Sequence, residues 1–261
     1  MTAPTTQDPR PEGAAARPGA APVLTRVLAQ AGFEVRAVLR NGEQLLLTLV
    51  LPVLLMVVLA RTDMVRLDST DRIAVVAPGA IALAVLSTAF TSQAIATGFD
   101  RRSGVLRLLA TTPLGRGGLL AGKVLAVLAV ETGQVLLLGG IAMALGWRPA
   151  GLASAALLLV LGTAAFVSLG LLVAGVLRAE AVLALANLVW VLLVAGGAVL
   201  LPADNLPGPL ATLARALPSG ALGEGLRDAL AGGGPGWGHV LVLLAWTALA
   251  SALTARYFRW E

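Results

Sequence analysis

Residues 152–177 read LASAALLLVLGTAAFVSLGLLVAGVL, twenty-six consecutive positions without a charged side chain. About 20 apolar residues in a helix rising about 1.5 Å each cross a hydrocarbon core about 30 Å thick. In lipid the backbone must pair with itself, which leaves helices or closed barrels. A barrel strand would alternate apolar and polar residues instead of running apolar throughout. The stretch therefore predicts a membrane-spanning helix, and the chain repeats the pattern on both sides of it. Spans are expected at about 45–60, 73–97, 124–145, 152–177, 181–201 and 237–253, the first being short. The whole composition agrees: 57% hydrophobic, 13% charged and a mean hydropathy of +0.87 are too apolar for a soluble domain of 261 residues. The fold class is all-α, a polytopic membrane protein of six helices, with a single transmembrane domain over residues 23–261.

Residues 1–22, rich in Pro, Ala, Gly and Thr, lack the apolar core of a signal sequence and read as a disordered, uncleaved cytoplasmic tail. From Leu24 the pattern becomes helical. Leu24, Val27, Leu28, Ala31, Val35 and Val38 share one side, with Arg26, Gln30, Glu34 and Arg40 on the other. Residues 24–40 are thus expected to form an amphipathic helix along the membrane surface. Lys and Arg accumulate on cytoplasmic flanks. With both termini inside, 13 of the 19 basic residues fall on that side, and the outer six are matched by six acids. The chain is accordingly expected in a bacterial inner membrane with both termini cytoplasmic. The pI near 11.1 reflects this orientation and not a nucleic-acid partner.

Between the last two spans, residues 202–236 form an unusual outer segment. Leu206, Leu210, Leu213 and Leu217 recur at helical spacing, and after Pro218-Ser219-Gly220 so do Leu222, Leu226 and Leu230. Two short re-entrant or interfacial helices before the last span are expected there, dipping into the outer leaflet or capping the bundle. The one histidine, His239, reads as an interfacial polar residue, since no other ligands converge on it. Trp147, Trp237 and Trp260 read as interface anchors, with Trp190 and Trp246 lying deeper.

The loop after the second span, residues 98–118, opens with Gly98-Phe99-Asp100-Arg101-Arg102-Ser103-Gly104-Val105-Leu106-Arg107-Leu108-Leu109 and continues through Thr112-Pro113. Leu106 and Leu109 sit one helical turn apart, with Arg102 and Arg107 on other faces. A short helix with an apolar ridge, ending at Pro113, is expected. Its spacing suits docking into a groove on a soluble partner, and equally an ordinary basic cytoplasmic loop.

These residues resemble a known family. An acidic and basic run, a Gly, Leu-x-x-Leu-x-x-Thr-Pro and then Gly122-Lys123 look like the signature of type-2 ABC exporter permeases. So does the outer stretch Asn205-Leu206-Pro207 through Leu213 and Pro218 to Gly225-Leu226-Arg227-Asp228-Ala229-Leu230-Ala231-Gly232-Gly233. The resemblance runs from about Leu24 to the end. It implies an ATP-driven exporter subunit paired with a separate ABC ATPase and with a second permease, identical or similar, in the lipid bilayer. It implies that Asp100, Arg101, Arg102, Gly104, Leu106, Leu109, Thr112 and Pro113 form the helix that couples to that ATPase, and that the surface helix touches the same subunit. Arg102 and Arg107 stand where relatives often carry acids, so partner charge does not carry over. No catalytic residue, metal or cofactor is expected on this chain; ATP and magnesium belong to the partner. Gly117-Gly118-Leu119-Leu120-Ala121-Gly122-Lys123 imitates a phosphate-binding loop. It is followed by Val124, however, in place of the Ser or Thr that holds magnesium, and it leads into a span.

Polar residues inside spans are functional candidates by default. Glu131 and Gln134 share one face of the third span, and Asn187 lies in the fifth. Glu131 either reaches the inner interface or a basic partner, or lines a translocation path; Asn187 either bridges helices or meets a ligand. Runner-up functions are a haem-exporter-type permease, against which the ordered outer segment argues, a secondary transporter or an assembly factor. A membrane enzyme would need more convergent ionisable groups. An apolar pathway favours a lipophilic substrate.

Overall fold

The structure is a computed structural model that describes residues 21–62 and 71–257. The tail expected at residues 1–22 lies outside the described residues except for its last two. Within the described residues every regular element is helical and no strand occurs. Helix α1 is Val23–Arg40. Helix α2 covers residues 42–61, capped by Asn41, whose Oδ1 accepts from the Gln44 amide at 3.2 Å, and interrupted by a π-helical turn at Leu46–Val50. Helix α3, Arg72–Arg102, is the longest apolar helix among the described residues, with Pro78 in its N-terminal half and a second π-helical turn at Leu86–Ser92. Then follow α4 (Val105–Ala110), α5 (Gly115–Ala144), α6 (Leu152–Val176), α7 (Ala179–Gly196), α8 (Gly208–Ala216), α9 (Pro218–Asp228) and α10 (Trp237–Tyr257).

Among the described residues five helices, α3, α5, α6, α7 and α10, are long and apolar enough to cross a membrane. The apolar part of α2, Thr48–Arg61, is shorter than these. The fifth span ends at Gly196, earlier than the expected residue 201, because the chain turns there and Ala198 adopts a left-handed φ of 48°. Helix α3 is the axis of the bundle: α2, α5, α6, α7 and α9 all pack on it, and most of its apolar window is inside the protein. Most of the windows of α7 and α10 face outward. In lipid such outer faces stay apolar, since hydrocarbon tails surround them.

The two ends of α3 are fastened differently. At one end Asp71 caps the helix by accepting from the Ala74 amide, and Arg72 donates to the Leu59 carbonyl at the end of α2. Near this end residues 202–236 fold back. Helix α9 is buried along almost its whole length, with Leu222 and Leu226 fully enclosed, so it belongs to the core of the bundle and not to its surface. Helix α8 turns Ala211 and Ala214 inward and leaves Leu210 and Leu213 exposed, opposite to the face expected from its leucines. Arg227 holds this region together. Its Nη1 donates to Glu224 at 2.8 Å, its Nη2 to the Val199 carbonyl at 2.6 Å and its Nε to the Val75 carbonyl at 3.3 Å. Glu224 also accepts from the Ala203 amide at 2.8 Å, so one ion pair joins α3, the turn after α7 and α9.

Of the tryptophans expected at the interface, Trp147 is used within the protein and Trp260 lies outside the described residues, while Trp190 and Trp246, read as lying deeper, are hydrogen-bonded within it. Trp147 is buried, Trp190 donates to Ser87 Oγ at 3.0 Å, and Trp246 donates to the Ala216 carbonyl at 2.9 Å. Trp237 stays exposed. His239 lies 3.3 Å from Asp228 Oδ2, a local contact at the start of α10.

Candidate functional site

The loop that reads as a coupling segment forms an elbow between α3 and α5. Helix α3 ends at Arg102, and Gly104 makes the turn with φ of 75°, a conformation that costs a side-chain-bearing residue about 1 kcal/mol or more. Helix α4 is one and a half turns long and ends at Ala110. Thr111 and Thr112 close it by donating to the Leu108 and Leu109 carbonyls at 2.8 and 2.6 Å. Thr112 Oγ1 then accepts from the Leu114 amide, which sets the path through Pro113 into α5.

The expected apolar ridge is rotated. Leu106 is 1% exposed, enclosed by the protein itself, and Leu109 is half-buried. The apolar side chains that α4 presents outward are Val105 and Leu108, flanked by exposed Arg107. A helix this short that packs on both α3 and α5 spends its best apolar position on its own protein, and this is why a three-residue spacing alone does not tell which leucine faces a partner.

The remaining elbow residues hold it to the bundle. Asp100 Oδ2 lies 2.7 Å from Lys123 Nζ, and the same ammonium lies 2.8 Å from Glu34 Oε1 on α1. Lys123 is 2% exposed, and Gln30 Nε2 also donates to Glu34 Oε1 at 2.9 Å. One buried cation between two carboxylates thus ties together α1, the end of α3 and the start of α5. Arg26 of α1 adds a bond to the Pro113 carbonyl. Arg101 donates to the Gly175 and Leu177 carbonyls at the end of α6, where cationic groups suit both the unpaired carbonyls and the helix dipole. Arg102 pairs at 2.5 Å with Glu180, both exposed.

This arrangement also disposes of the apparent phosphate loop. Residues 117–123 are helical within α5, and a Cβ on Gly122 would come within 2.7 Å of Gln30 Cγ. The glycine is there so that α1 can cross α5 closely enough for Glu34 to reach Lys123. Arg26, Gln30 and Glu34 of α1, set on its polar side, are turned toward α5 and the turn before it along with buried Val27 and Ala31, while Arg40, Leu24, Leu28, Phe33 and Leu39 are exposed.

Of the intramembrane polar residues, Glu131 meets no basic side chain among the described residues. Its Oε2 accepts from Thr163 of α6 at 2.5 Å, and its Oε1 is buried without a partner. Gln134 is a packing residue: it accepts from Thr88 and donates to the Thr48 carbonyl, each at 3.0 Å. Those two partners lie in the π-helical turns of α3 and α2, so one side chain joins the two places where the helical ladders are irregular. Asn187 is exposed on the outer face of α7, away from Glu131 and Gln134, and makes no helix-to-helix hydrogen bond to the described residues.

A family model described as ABC-2 family transporter protein matches residues 61–256, three quarters of the chain. The chain belongs to the ABC-2 transporter family. It is also 25% identical, over 234 residues, to "Putative transport permease YvfS" of Bacillus subtilis (strain 168), a match that covers 87% of this chain and 94% of that protein. This ABC-2 protein is therefore a multi-pass membrane transport subunit of the permease kind. Family resemblance points to the α3–α4 elbow but not to what holds it. The sequence reading set Arg26, Gln30 and Glu34 on the polar side of the surface helix and Lys123 at the end of the Gly-Lys signature, but did not bring them together. One signal was available: Lys123 is the only lysine among nineteen basic residues, placed where an apolar span begins.

Proposed function

We propose that this chain is the permease subunit of an ATP-driven ABC exporter, with α4 as the segment that a separate nucleotide-binding subunit grips. On this proposal the end of the bundle that carries α4 faces the cytoplasm of a bacterial inner membrane, and both termini lie there. The short helix α2 serves as the first of six spans. Two permease copies, or this chain and a similar one, flank the pathway, and ATP and magnesium are held by the partner. A lipophilic substrate fits spans whose outer surfaces are apolar and whose polar residues Glu131 and Gln134 are turned inward.

One observation carries the proposal. The Lys123 bridge locks the surface helix α1 to the base of the elbow, so both elements expected to meet an ATPase behave as one lever attached to the central helix α3. ATP can drive transport only if the ATPase binds one membrane conformation more tightly than the other, and such a lever lets a grip on α4 discriminate between them.

The test is affinity purification of the tagged chain from its own membranes, with co-purifying ABC ATPase measured by mass spectrometry. Leu108→Asp places a charge on the outward side of α4, where it leaves the bundle intact. It is expected to reduce ATPase capture by about tenfold or more, the loss of one interface anchor of about 1.4 kcal/mol or more. Leu106→Asp is expected to lower the yield of folded protein instead, since that side chain is enclosed. Undiminished capture by the Leu108 variant would show that α4 is not the contact.

A further inference from the structure

Beside the elbow, the end of α3, the start of α4 and the turn between α6 and α7 enclose an open recess of about 510 Å³, lined by Arg101, Arg102, Arg107, Arg178 and Glu180 together with small residues. Four cations face one carboxylate. Arg101 is engaged with the carbonyls at the end of α6, and Arg102 with Glu180. Arg107 and Arg178 are exposed and form no side-chain hydrogen bond or ion pair with the described residues. Arg178 also immediately precedes α7, whose first amides lack a side-chain cap. The recess therefore calls for an anion with several oxygen acceptors, the chemistry of a phosphate.

Its depth says which phosphate. Helix α7 has 18 residues, about 27 Å, so it must use its whole length to cross a core of about 30 Å. Arg178 then sits at the level of the lipid headgroups. The end of α3 lies at the same height, because a Cβ on Gly98 would stand 3.3 Å from Val182 in the first turn of α7. From the recess inward, α7 presents Leu183, Leu188, Val191 and Leu192 on its exposed face. A basic floor continuous with an apolar wall matches an amphiphile, and a soluble acidic segment would leave the wall bare.

We propose that this recess binds the phosphate of an anionic phospholipid, with the acyl chains lying along the exposed face of α7. A zwitterionic lipid carries the same phosphate, but its own ammonium cancels the charge that Arg107 and Arg178 attract, so the site discriminates by headgroup charge. Occupancy joins the base of α4 to the α6–α7 turn through a lipid.

Native mass spectrometry of the full chain in neutral detergent tests this with phosphatidylglycerol, phosphatidylcholine of the same acyl chains, and glycerol phosphate. Phosphatidylglycerol is expected to be retained in preference to phosphatidylcholine, and glycerol phosphate to bind far more weakly than either retained lipid. Arg107→Gln with Arg178→Gln should weaken phosphatidylglycerol binding by about 25-fold, about fivefold for each exposed cation. Arg256→Gln, in the last turn of α10 and not among the residues that line the recess, should leave it unchanged. Equal retention of the two lipids, or an unaltered affinity in the double variant, overturns the proposal; so does glycerol phosphate binding as tightly as the lipid. Should the double variant fail to fold, the two single variants carry the test, each expected to lose about fivefold.

Discussion

Replacing Lys123 by Met tests whether the buried ion bridge is what holds α1 to the elbow. Methionine keeps most of the side-chain volume and removes only the ammonium. The two carboxylates that meet it, 16% and 31% exposed, would then face a site with no cation. Breaking a fully buried ion pair costs about 3–5 kcal/mol. Both acids here retain some access to water, which places the cost at the lower end, about 3 kcal/mol. That corresponds to about a 150-fold rise in the population in which α1 has lifted from α5.

The chain has no cysteine, so a single reporter can be introduced without background. Ala31→Cys lies on the buried side of α1, where a maleimide reaches the thiol only after the helix lifts. With closing faster than labelling, the labelling rate follows the open population. Adding Lys123→Met should accelerate it by about two orders of magnitude while the tryptophan-detected melt of the bundle core moves little. Adding Glu34→Gln and Asp100→Asn as well should recover much of the protection, since no charge is then left unpaired. A labelling rate within about threefold of the parent would refute the reasoning and assign the docking of α1 to apolar contact and the Gly122 crossing alone.

Two further outcomes follow from the same physics. Arg227→Met should lower bundle stability by about 3 kcal/mol or more, because it strands Glu224 and two backbone carbonyls in a buried site; adding Glu224→Gln should restore part of the loss, read as the midpoint of thermal unfolding in detergent. Gln134→Leu is expected to cost about 1–2 kcal/mol, the range for interhelical hydrogen bonds in membranes. Increased hydrogen exchange should then be confined to the π-helical turns Leu46–Val50 and Leu86–Ser92, and an unchanged exchange pattern would mean that those turns are held by packing alone.

What could be read from the sequence divides along a physical line. Span positions follow from the cost of burying backbone and charge in hydrocarbon, a strong signal summed over about 20 residues, and five of the expected spans coincide with long apolar helices. Which side of a short helix faces inward is a matter of one or two contacts. Leu106 against Leu108, and Ala211 and Ala214 against Leu210 and Leu213, were decided by tertiary packing that no local periodicity encodes. The same holds for ion pairs between residues 23 and 89 positions apart, such as Asp100 and Glu34 with Lys123. Lys123 read as the end of an imitation phosphate loop because a glycine followed by a lysine serves two purposes: backbone approach to a phosphate, or backbone approach to another helix. Gln30 standing against Gly122 decides for the second.

These anchors also define how a displacement at α4 would travel if the coupling proposal holds. The elbow cannot move without α1, because Lys123 and Arg26 bind both, nor without the end of α6, because Arg101 caps it. The motion must then enter the bundle through α3. Along that helix the first place able to yield is the π-helical turn at Leu86–Ser92, where the hydrogen-bond ladder already departs from the α pattern. Gln134 fastens that turn to α2, and beyond it Arg227 clamps the outer part of α3 to α9 and to the turn after α7. An ionic anchor at each end, with neutral hydrogen bonds from Gln134 and Trp190 to the turn between them, makes the middle the most easily rearranged part of the path. A gate in this bundle is therefore expected at the level of Thr48, Thr88 and Gln134, with the two ends moving as rigid bodies about it.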